Sequence, residues 1–241
     1  MLLPAGSRVT ADKTKPGFLW RVFSNQANQV NSGARAEDSL AGQLKAADGT
    51  FLPNLADASA AGASPNPGTK LGTADNALIE FIIPEVINLS QVADTSTGNF
   101  TPDLQMPGIP NTDGNSDGIT GEIITYLDLA VGVYTMGVNS DDGFRTVAGN
   151  LKDIFQGVVL GGFEGGRGAA DSIFTFSVQE AGVYPFRTVW EEGGGDANVE
   201  WFTVKADGTK VLLNDAGGGG LLLDTVKLFI RCRSACKLPL S

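Results

Sequence analysis

Short apolar runs separated by polar turns recur along most of the chain. Two of them, residues 18–23 (FLWRVF) and 78–83 (LIEFII), stand in the first half. Both are rich in aromatic and β-branched residues, which favour strands. From residue 122 onward the runs become regular, and they cover 122–129, 133–138, 143–148, 154–160, 172–178, 183–190, 198–204 and 209–213. Strands at such close spacing, without long helical segments between them, are typical of an antiparallel sandwich or barrel, so we predict an all-β fold.

One short helix and several long loops complete the predicted organisation. Residues 34–44 place leucines at positions 40 and 44 among small residues, a spacing that predicts a short helix. The Asp207-Gly208 pair predicts a tight hairpin between the last two strands. We expect three segments, which are a lead-in at 1–16, a single β-sandwich domain at 17–215 with a polar, turn-rich insertion at about 89–120, and a Gly-rich linker with an apolar, basic tail at 216–241.

The composition excludes several classes of enzyme. The 241 residues contain no histidine, which rules out Ser-His-Asp and Cys-His nucleophile systems and His-ligated zinc or iron. The two cysteines, Cys232 and Cys236, lie in the tail and cannot build a thiolate cluster. No nucleophile motif is present and no pair of carboxylates stands out as catalytic. We therefore predict that the chain is not an enzyme.

The acidic body of the chain narrows its candidate partners. The formal net charge is −10, and residues 227–241 hold four of the 17 bases and no acid, which leaves 13 bases against 27 acids elsewhere. Such a body repels phosphates and attracts divalent cations, so we expect no nucleic-acid partner. No apolar run approaches the roughly 18 residues of a membrane span. We expect any export signal to lie outside this sequence.

Two motifs in the second half resemble a known domain family. Residues 121–150 contain GVYTMGVNSDDGFR, with a Ser-Asp-Asp-Gly-x-Arg centre. Residues 181–190 read AGVYPFRTVW, and the glycine-rich EEGGGDANVEW follows them. These motifs resemble the anthrax protective-antigen-type (fourteen-kilodalton) β-sandwich domain, which also occurs in yeast flocculins, epithelial adhesins and bacterial secreted or surface proteins. The resemblance is good over about 121–213 and looser over 17–88, and it implies a jelly-roll-type antiparallel β-sandwich.

The adjacent acids Asp141 and Asp142 carry the functional implication of this resemblance. In the lectin members of the family the Asp-Asp pair is joined by a cis peptide and chelates calcium, which in turn holds sugar hydroxyls. The resemblance therefore implies calcium ligation by Asp141 and Asp142. Adjacent carboxylates repel each other, and a hard cation relieves that repulsion. The alternative is a solvated turn in which Asp-Gly makes a tight reversal.

The remainder of the implied calcium site departs from the family pattern. The flocculin-type lectins carry an asparagine just after the Tyr-Pro-x-Arg strand, and this chain has Glu192 there. A carboxylate can still ligate calcium, although it leaves less room for a neutral sugar contact. Asp196 and Asn198 lie in the same loop and are further candidate metal ligands.

Three nearby residues are candidates for direct ligand contact. Trp190 flanks the glycine-rich loop and has a ring suited to stacking on a pyranose, although a tryptophan at a strand end is more often packed in the core. Glu191 is either a second acidic ligand or an exposed loop acid. Arg145 either meets an anionic sugar or forms an ordinary ion pair on its strand.

A second acidic loop is a separate candidate for calcium. Asp113, Asn115 and Asp117 precede Gly118 in the order found in the first half of an EF-hand loop. The expected bidentate glutamate is missing at position 124, and Glu122 stands two residues early. The alternative is a plain Asp/Asn/Gly turn.

Two functions from different classes follow from these residues. The first is a calcium-dependent carbohydrate-binding, lectin-like module of an extracellular bacterial adhesin or enzyme, whose partner is a glycan or polysaccharide. The alternative is a non-catalytic structural or assembly subunit of an extracellular surface structure, in which calcium serves rigidity and the partners are further copies or other domains of a larger protein. We expect an extracellular or cell-surface location for either.

Overall fold

Two seven-stranded sheets and one helix make up the regular structure in the computed structural model, which describes residues 1–3, 17–149 and 157–218. In chain order the elements are β1 Leu2–Leu3, β2 Phe18–Ser24, α1 Gly33–Leu40, β3 Thr69–Lys70, β4 Ile79–Ile83, β5 Asn88–Ser90, β6 Leu104–Gln105, β7 Ile119–Leu129, β8 Gly132–Asp141, β9 Phe144–Ala148, β10 Val158–Phe163, β11 Ala170–Val178, β12 Gly182–Glu192, β13 Asn198–Val204 and β14 Lys210–Leu212.

The strands form two sheets that face each other. Sheet A has the order β1-β11-β8-β13-β5-β6, with β14 paired to β13, and sheet B has the order β10-β9-β12-β7-β2-β4-β3. Pairing in sheet B is antiparallel throughout, and only the edge pairs β1–β11 and β5–β6 of sheet A are parallel. The prediction of an all-β, mainly antiparallel sandwich is confirmed.

Aromatic side chains from both sheets fill the space between them. Phe186 of sheet B lies 6.4 Å from Trp201 and 5.7 Å from Phe176, both of sheet A, between ring centroids. All three are fully buried, and each buried side chain of this size contributes about 2–3 kcal/mol to the free energy of folding. Close to the same layer, the Cβ position of Gly121 lies 2.3 Å from the Trp20 ring, so only glycine fits there.

Helix α1 covers the outer face of sheet B. The Ser32 hydroxyl accepts a hydrogen bond from the Arg35 backbone N–H at 3.2 Å and caps the first turn. The helix ends at Leu40, short of the predicted residue 44, because Gly42 adopts φ +67° and terminates it. Arg187 of β12 donates to the Glu37 carboxylate at 2.8 Å and fixes the helix to the sheet.

Several predicted segments need adjustment at their ends. Within the expected lead-in, Leu2 and Leu3 form an edge strand against β11, and residues 4–16 lie outside the described residues. The predicted insertion overlaps β5, which pairs with β13 and so belongs to sheet A. The predicted strand at 154–160 corresponds to β10, and its residues 154–156 lie outside the described residues. Most of the predicted tail, including both cysteines, also lies outside them.

The helix content bears on membrane insertion. Within residues 1–3, 17–149 and 157–218, no helix has the length and apolar character needed to cross a bilayer.

Candidate metal centre

Three carboxylates meet where the ends of the two sheets come together. Asp141 is the last residue of β8 in sheet A, Asp142 follows it directly, and Glu192 is the last residue of β12 in sheet B. One carboxylate oxygen from each lies within 4.8 Å of the others. In the part of the chain that the structure describes, this is the one group of three or more acidic, histidine or cysteine side chains so arranged.

Asp142 is held on both sides by backbone amides. Its Oδ1 accepts from the Arg167 N–H at 2.6 Å, and its Oδ2 accepts from the Gly193 N–H at 3.1 Å. The peptide bond joining it to Asp141 is cis, as the family resemblance implies. With one donor on each oxygen, the buried carboxylate has a fixed orientation.

Asp141 is the more accessible of the two aspartates. Burial, the charge of Asp142 and the charge of Asp196 together raise the pKa of Asp141 to about 6. The Asp141 carbonyl oxygen accepts from the Trp190 ring Nε1–H at 3.1 Å. The Trp190 ring is fully buried and lies 6.2 Å from the Trp20 ring, so the stacking role considered for it is wrong. Trp190 instead fixes the backbone of the aspartate pair.

Glu192 is a buried carboxylate without hydrogen-bond donors. Its side chain has 0% exposure, and no donor among the described residues reaches either of its oxygens. Burial, followed by the charges of Asp142 and Asp141, raises the pKa of Glu192 to about 9. The nearby Arg35 Nη1 donates to the Glu192 backbone carbonyl at 3.4 Å, among other carbonyl acceptors. A buried, unsolvated carboxylate of this kind is stable when it is protonated or when it faces a cation.

Two further predicted ligands lie beside the cluster. Asn198 is opposite Asp141 in the β13–β8 pairing and is 1% exposed. Its Nδ2 donates to Asn139 Oδ1 at 3.1 Å, and its Oδ1 accepts no hydrogen bond from the described part of the chain. Asp196 is exposed, and its Oδ1 accepts from Gln91 at 3.3 Å. Both residues therefore lie next to the cluster, Asn198 on its buried side and Asp196 on its solvent side.

The acidic loop before β7 is organised by its own side chains. Asn111 Oδ1 accepts from the N–H groups of Asp113 and Asn115, each at 3.0 Å, and Asn115 Oδ1 accepts from the Asp117 N–H at 2.5 Å. These bonds are those of a polar turn. The Asp117 carboxylate accepts from Gln29 at 3.2 Å, so it lies against the neighbouring loop.

Glu122 does not join that loop. It lies in β7 and forms ion pairs with Arg21, at 3.1 Å, and with Arg187. Burial opposes its ionisation, but the two guanidinium groups hold the pKa of Glu122 below its ordinary value. Glu122 is thus committed to an ion-pair network on the outer face of sheet B, and the structure does not bring it together with Asp113, Asn115 and Asp117.

Glu191 and Arg145 do not join the three carboxylates, although the Glu191 backbone carbonyl accepts from the Asp142 N–H at 3.2 Å. Glu191 is 2% exposed and its Oε2 accepts from the Ser32 N–H at 2.7 Å, so it is not the exposed loop acid considered above. Burial raises the pKa of Glu191 to about 7, against the opposing effects of Ser32 and Arg35. Arg145 is exposed on β9. Strand alternation places Glu191 and Glu192 on opposite faces of β12.

Arg167 is a residue of the centre that the sequence analysis missed. Besides its backbone bond to Asp142, its guanidinium donates to Ser140 Oγ at 2.7 Å and to Ser172 at 3.0 Å, and lies 4.4 Å from the Phe163 ring centroid. It therefore secures the loop after β10 to the aspartate pair. An arginine within the glycine-rich run 161–168 was the only local signal for this role.

Comparisons with known proteins find similarity only to solved structures. No protein-family model matches the chain, and no curated protein matches it. A PA14 sugar-binding domain from an RTX adhesin is 16% identical at a TM-score of 0.46, with 86% of this chain and 98% of that one covered. The PA14 domain of an antifreeze protein is 14% identical at 0.48, over 89% and 94%. An Epithelial Adhesin 6 domain from Candida glabrata, solved with Galb1-3GlcNAc, is 13% identical at 0.47, over 91% and 92%.

Identities of 13–16% and TM-scores below 0.5 leave the function to be argued from this chain's own residues.

Proposed function

We propose that this chain is a calcium-dependent carbohydrate-binding module of an extracellular protein, with a glycan or polysaccharide as its partner. The observation that carries the proposal is the meeting of Asp141, Asp142 and Glu192, with Glu192 fully buried and without a hydrogen-bond donor in the described residues. Three carboxylates at this spacing repel one another, and a hard divalent cation is the ligand that such a set fits best.

The dimensions of the cluster suit calcium. Calcium–oxygen bonds of about 2.4 Å allow one ion to contact oxygens up to about 4.8 Å apart, and the three carboxylate oxygens lie within 4.8 Å of one another. Calcium takes 6–8 oxygen ligands, so other oxygens are required. The Asn198 Oδ1 and the Asp196 carboxylate are the protein oxygens that we propose as additional ligands. Asp142 is already oriented by the amides of Arg167 and Gly193.

The solvent side of the centre is suited to a small polar ligand. Asp196 and the glycines at 194 and 195 are exposed there. A bound calcium would supply coordination positions for two neighbouring sugar hydroxyls. Because a small polar ligand buries little surface, we expect dissociation constants in about the micromolar-to-millimolar range. Extracellular calcium modules bind the ion with constants of about 0.1–1 mM, which fits the extracellular location we propose.

A second candidate function is a structural or assembly subunit in which the ion provides rigidity. The observation that favours it is the burial of Asp142, Glu192 and Trp190, which leaves only Asp141 and Asp196 towards solvent and no exposed aromatic ring among the predicted ligand residues. In that case calcium would join the ends of β8 and β12, and glycans would not bind.

A paired calcium and glycan measurement separates these functions. We would titrate calcium into chelator-stripped protein and into the Asp141→Asn/Asp142→Asn variant, with Asp113→Asn as a matched control in the separate acidic loop. We expect the double variant to lose one equivalent of calcium and the control to keep it. A glycan array in calcium and in chelator should then give signals that disappear in chelator and in the double variant. Calcium binding with no glycan signal would favour the structural role, and full calcium binding by the double variant would contradict both.

A further inference from the structure

A second group of oxygen atoms lies on the opposite face of β12, beneath the first turn of α1. It is built around Glu191, which is buried with 2% of its surface exposed. Glu191 Oε2 accepts from the Ser32 N–H at 2.7 Å, whereas Oε1 has no donor within the residues that the structure describes. This arrangement leaves half of a buried carboxylate without a counterpart, which is costly.

Two backbone carbonyls face the same space as Glu191 Oε1. The point that a Cβ would occupy on Gly143 lies 2.7 Å from Glu191 Oε1, 3.1 Å from the Phe163 carbonyl oxygen and 3.2 Å from the Gly165 carbonyl oxygen. Three acceptor oxygens therefore pack around the Gly143 Cα, and a side chain at this position would collide with them. Acceptors cannot hydrogen-bond to one another, so Glu191 Oε1 needs a donor hydrogen or a cation.

A second carboxylate, that of Glu164, lies at the same place. Its Oε1 accepts from the Gly33 N–H at 2.8 Å, next to the Ser32 N–H that Glu191 binds. Glu164 and Glu191 line one cavity together with Phe144, Phe163 and Val189. Because Glu164 is exposed and Glu191 is buried, the cavity leads from solvent to the buried oxygens.

The nearest cationic side chains do not donate a hydrogen bond to Glu191 Oε1. The guanidinium of Arg35 is directed at backbone carbonyls, with Nε donating to Asn28 at 3.1 Å and Nη1 donating to Ile119 at 2.9 Å. Arg145 lines the cavity but is exposed, where an ion pair is weak. Glu191 Oε1 is thus open to a ligand from solvent.

We propose that this cavity is a second divalent-cation site, in which Glu191 Oε1 and the carbonyl oxygens of Phe163 and Gly165 are the buried ligands and Glu164 is the ligand on the solvent side. Carboxylate and carbonyl oxygens are the ligands that calcium prefers, and water completes its coordination. The site has other ligands than the three-carboxylate centre but adjoins it, since the Asp142 N–H donates to the Glu191 carbonyl at 3.2 Å, and it does not depend on glycan binding. A cation there would join the β10–β11 connection to the start of α1.

A proton on Glu191 Oε1, donated to one of the two carbonyls, is the competing arrangement. A Glu191→Gln substitution discriminates between a bound cation and a protonated Glu191. The glutamine amide oxygen can accept from the Ser32 N–H while its NH₂ group donates to a carbonyl. A glutamine at 191 therefore reproduces a protonated glutamate and removes a cation ligand.

The test uses the whole chain with the first centre disabled. We would prepare Asp141→Asn/Glu192→Gln, which leaves the Asp142 contacts to the Arg167 and Gly193 amides in place, and add Glu191→Gln or, separately, Glu164→Gln. Glu85→Gln is a control that removes an exposed acid outside the cavity. Circular dichroism would verify folding, and calorimetry with calcium alone would give the binding equivalents. We expect one equivalent in the parent variant, an affinity loss of at least tenfold with Glu191→Gln, a loss of several fold with Glu164→Gln, and no change with Glu85→Gln.

Two results would overturn the second site. One is a parent variant that binds no calcium although wild type binds one equivalent. The other is a Glu191→Gln variant that binds calcium as its parent does. A Glu191→Gln variant with the parent's melting temperature both in calcium and in chelator would have the same meaning, because this is the result expected if Glu191 is protonated. Because the first centre is already disabled, these results leave the glycan-binding proposal untouched.

Discussion

Glu192 and Glu200 are both fully buried glutamates, and their surroundings differ in the hydrogen-bond donors that they provide. Glu200 Oε1 and Oε2 accept from the backbone and side chain of Asn99 and from the Phe100 N–H, at 2.8–2.9 Å. Glu192 has no donor among the described residues. The donors fix Glu200 as a structural anchor for the loop at 97–100. Because Glu192 lacks such donors, its carboxylate is suited to binding a cation.

This contrast predicts opposite effects of the same substitution. In chelator, Glu192→Gln should raise the free energy of unfolding by about 1–3 kcal/mol, because it removes an unsatisfied acid from a repulsive cluster. Glu200→Gln should lower it by about 1–3 kcal/mol, because an amide NH₂ group would face N–H donors. Urea denaturation at neutral pH measures both. A loss of stability in Glu192→Gln would contradict the description of the centre.

The pKa values of the carboxyls predict how stability depends on pH without calcium. The pKa of Asp141 is about 6, that of Glu191 about 7 and that of Glu192 about 9, all above the value of about 4 in an unfolded chain. Between about pH 4 and pH 9 the folded state binds more protons than the unfolded state, so its stability falls as the pH rises.

We expect the melting temperature in chelator to decrease steadily from about pH 5 to about pH 9. Calcium should reverse the trend, because it binds the ionised carboxylates and its affinity rises with pH. Thermal scans with and without calcium test this. A melting temperature in chelator that increases over this interval would show that these groups are ionised in the folded protein without cost.

At the scale of elements, α1 is connected to the candidate centre through one buried arginine. Arg35 is 4% exposed and joins three parts of the chain, since it donates to the carbonyls of Asn28, Ile119 and Glu192. Ile119 begins β7 and Glu192 ends β12, so the helix holds these two strand ends side by side.

Replacing this arginine should loosen the helix and the strand ends together. Arg35→Met leaves buried carbonyls without donors and should cost about 2–4 kcal/mol of folding stability, with faster amide exchange in 33–40 than in β13. The exposed Arg145→Met is the matched control and should change stability by less than about 0.5 kcal/mol. Equal effects of the two substitutions would mean that the carbonyls are satisfied in another way.

At the scale of the whole molecule, the apolar core and the acidic centre are separate. The core is a continuous set of buried apolar side chains that spans both sheets, and its member Trp190 donates a hydrogen bond to the Asp141 carbonyl. Because burial of these side chains does not involve the carboxylates, the sandwich does not need an ion in order to fold.

We therefore expect the chelator-treated chain to keep its β-sheet circular dichroism and a cooperative unfolding transition. Calcium at about 100 times its dissociation constant should add about 2.7 kcal/mol. For a domain of this size that corresponds to a rise in melting temperature of roughly 5–10 °C. A chain that is unfolded in chelator would contradict the separation of core and centre.

Much of the element pattern follows from the sequence. The runs of β-branched and aromatic residues in β2, β4, β7, β12 and β13 predict these strands within a few residues, because alternation reports which side of a strand is buried. The short strands β1, β3, β5 and β6 were missed, since two or three residues carry no periodic signal. The end of α1 was misplaced because Leu44 continues the helical spacing beyond Gly42, where the backbone leaves the helix.

The candidate centre was only partly accessible to sequence reasoning. The adjacent acids Asp141 and Asp142 and the position of Glu192 could be predicted, because the motif resemblance ties those residues to one place. Burial could not, so Trp190 was considered as an exposed stacking ring. Arg167 carries no motif, and its role follows only from the path of the loop after β10.

Composition and alternation can be read from neighbouring residues, so they predict an acidic, histidine-free, all-β chain with an aspartate pair at the end of a strand. Which acids share a site depends instead on how the sheets pack. Glu191 and Glu192 are adjacent in the chain, yet pairing of β12 in sheet B turns them to opposite faces, one under α1 and the other beside β8 of sheet A. Contacts between residues distant in sequence depend on how the sheets pack, and local patterns do not encode that.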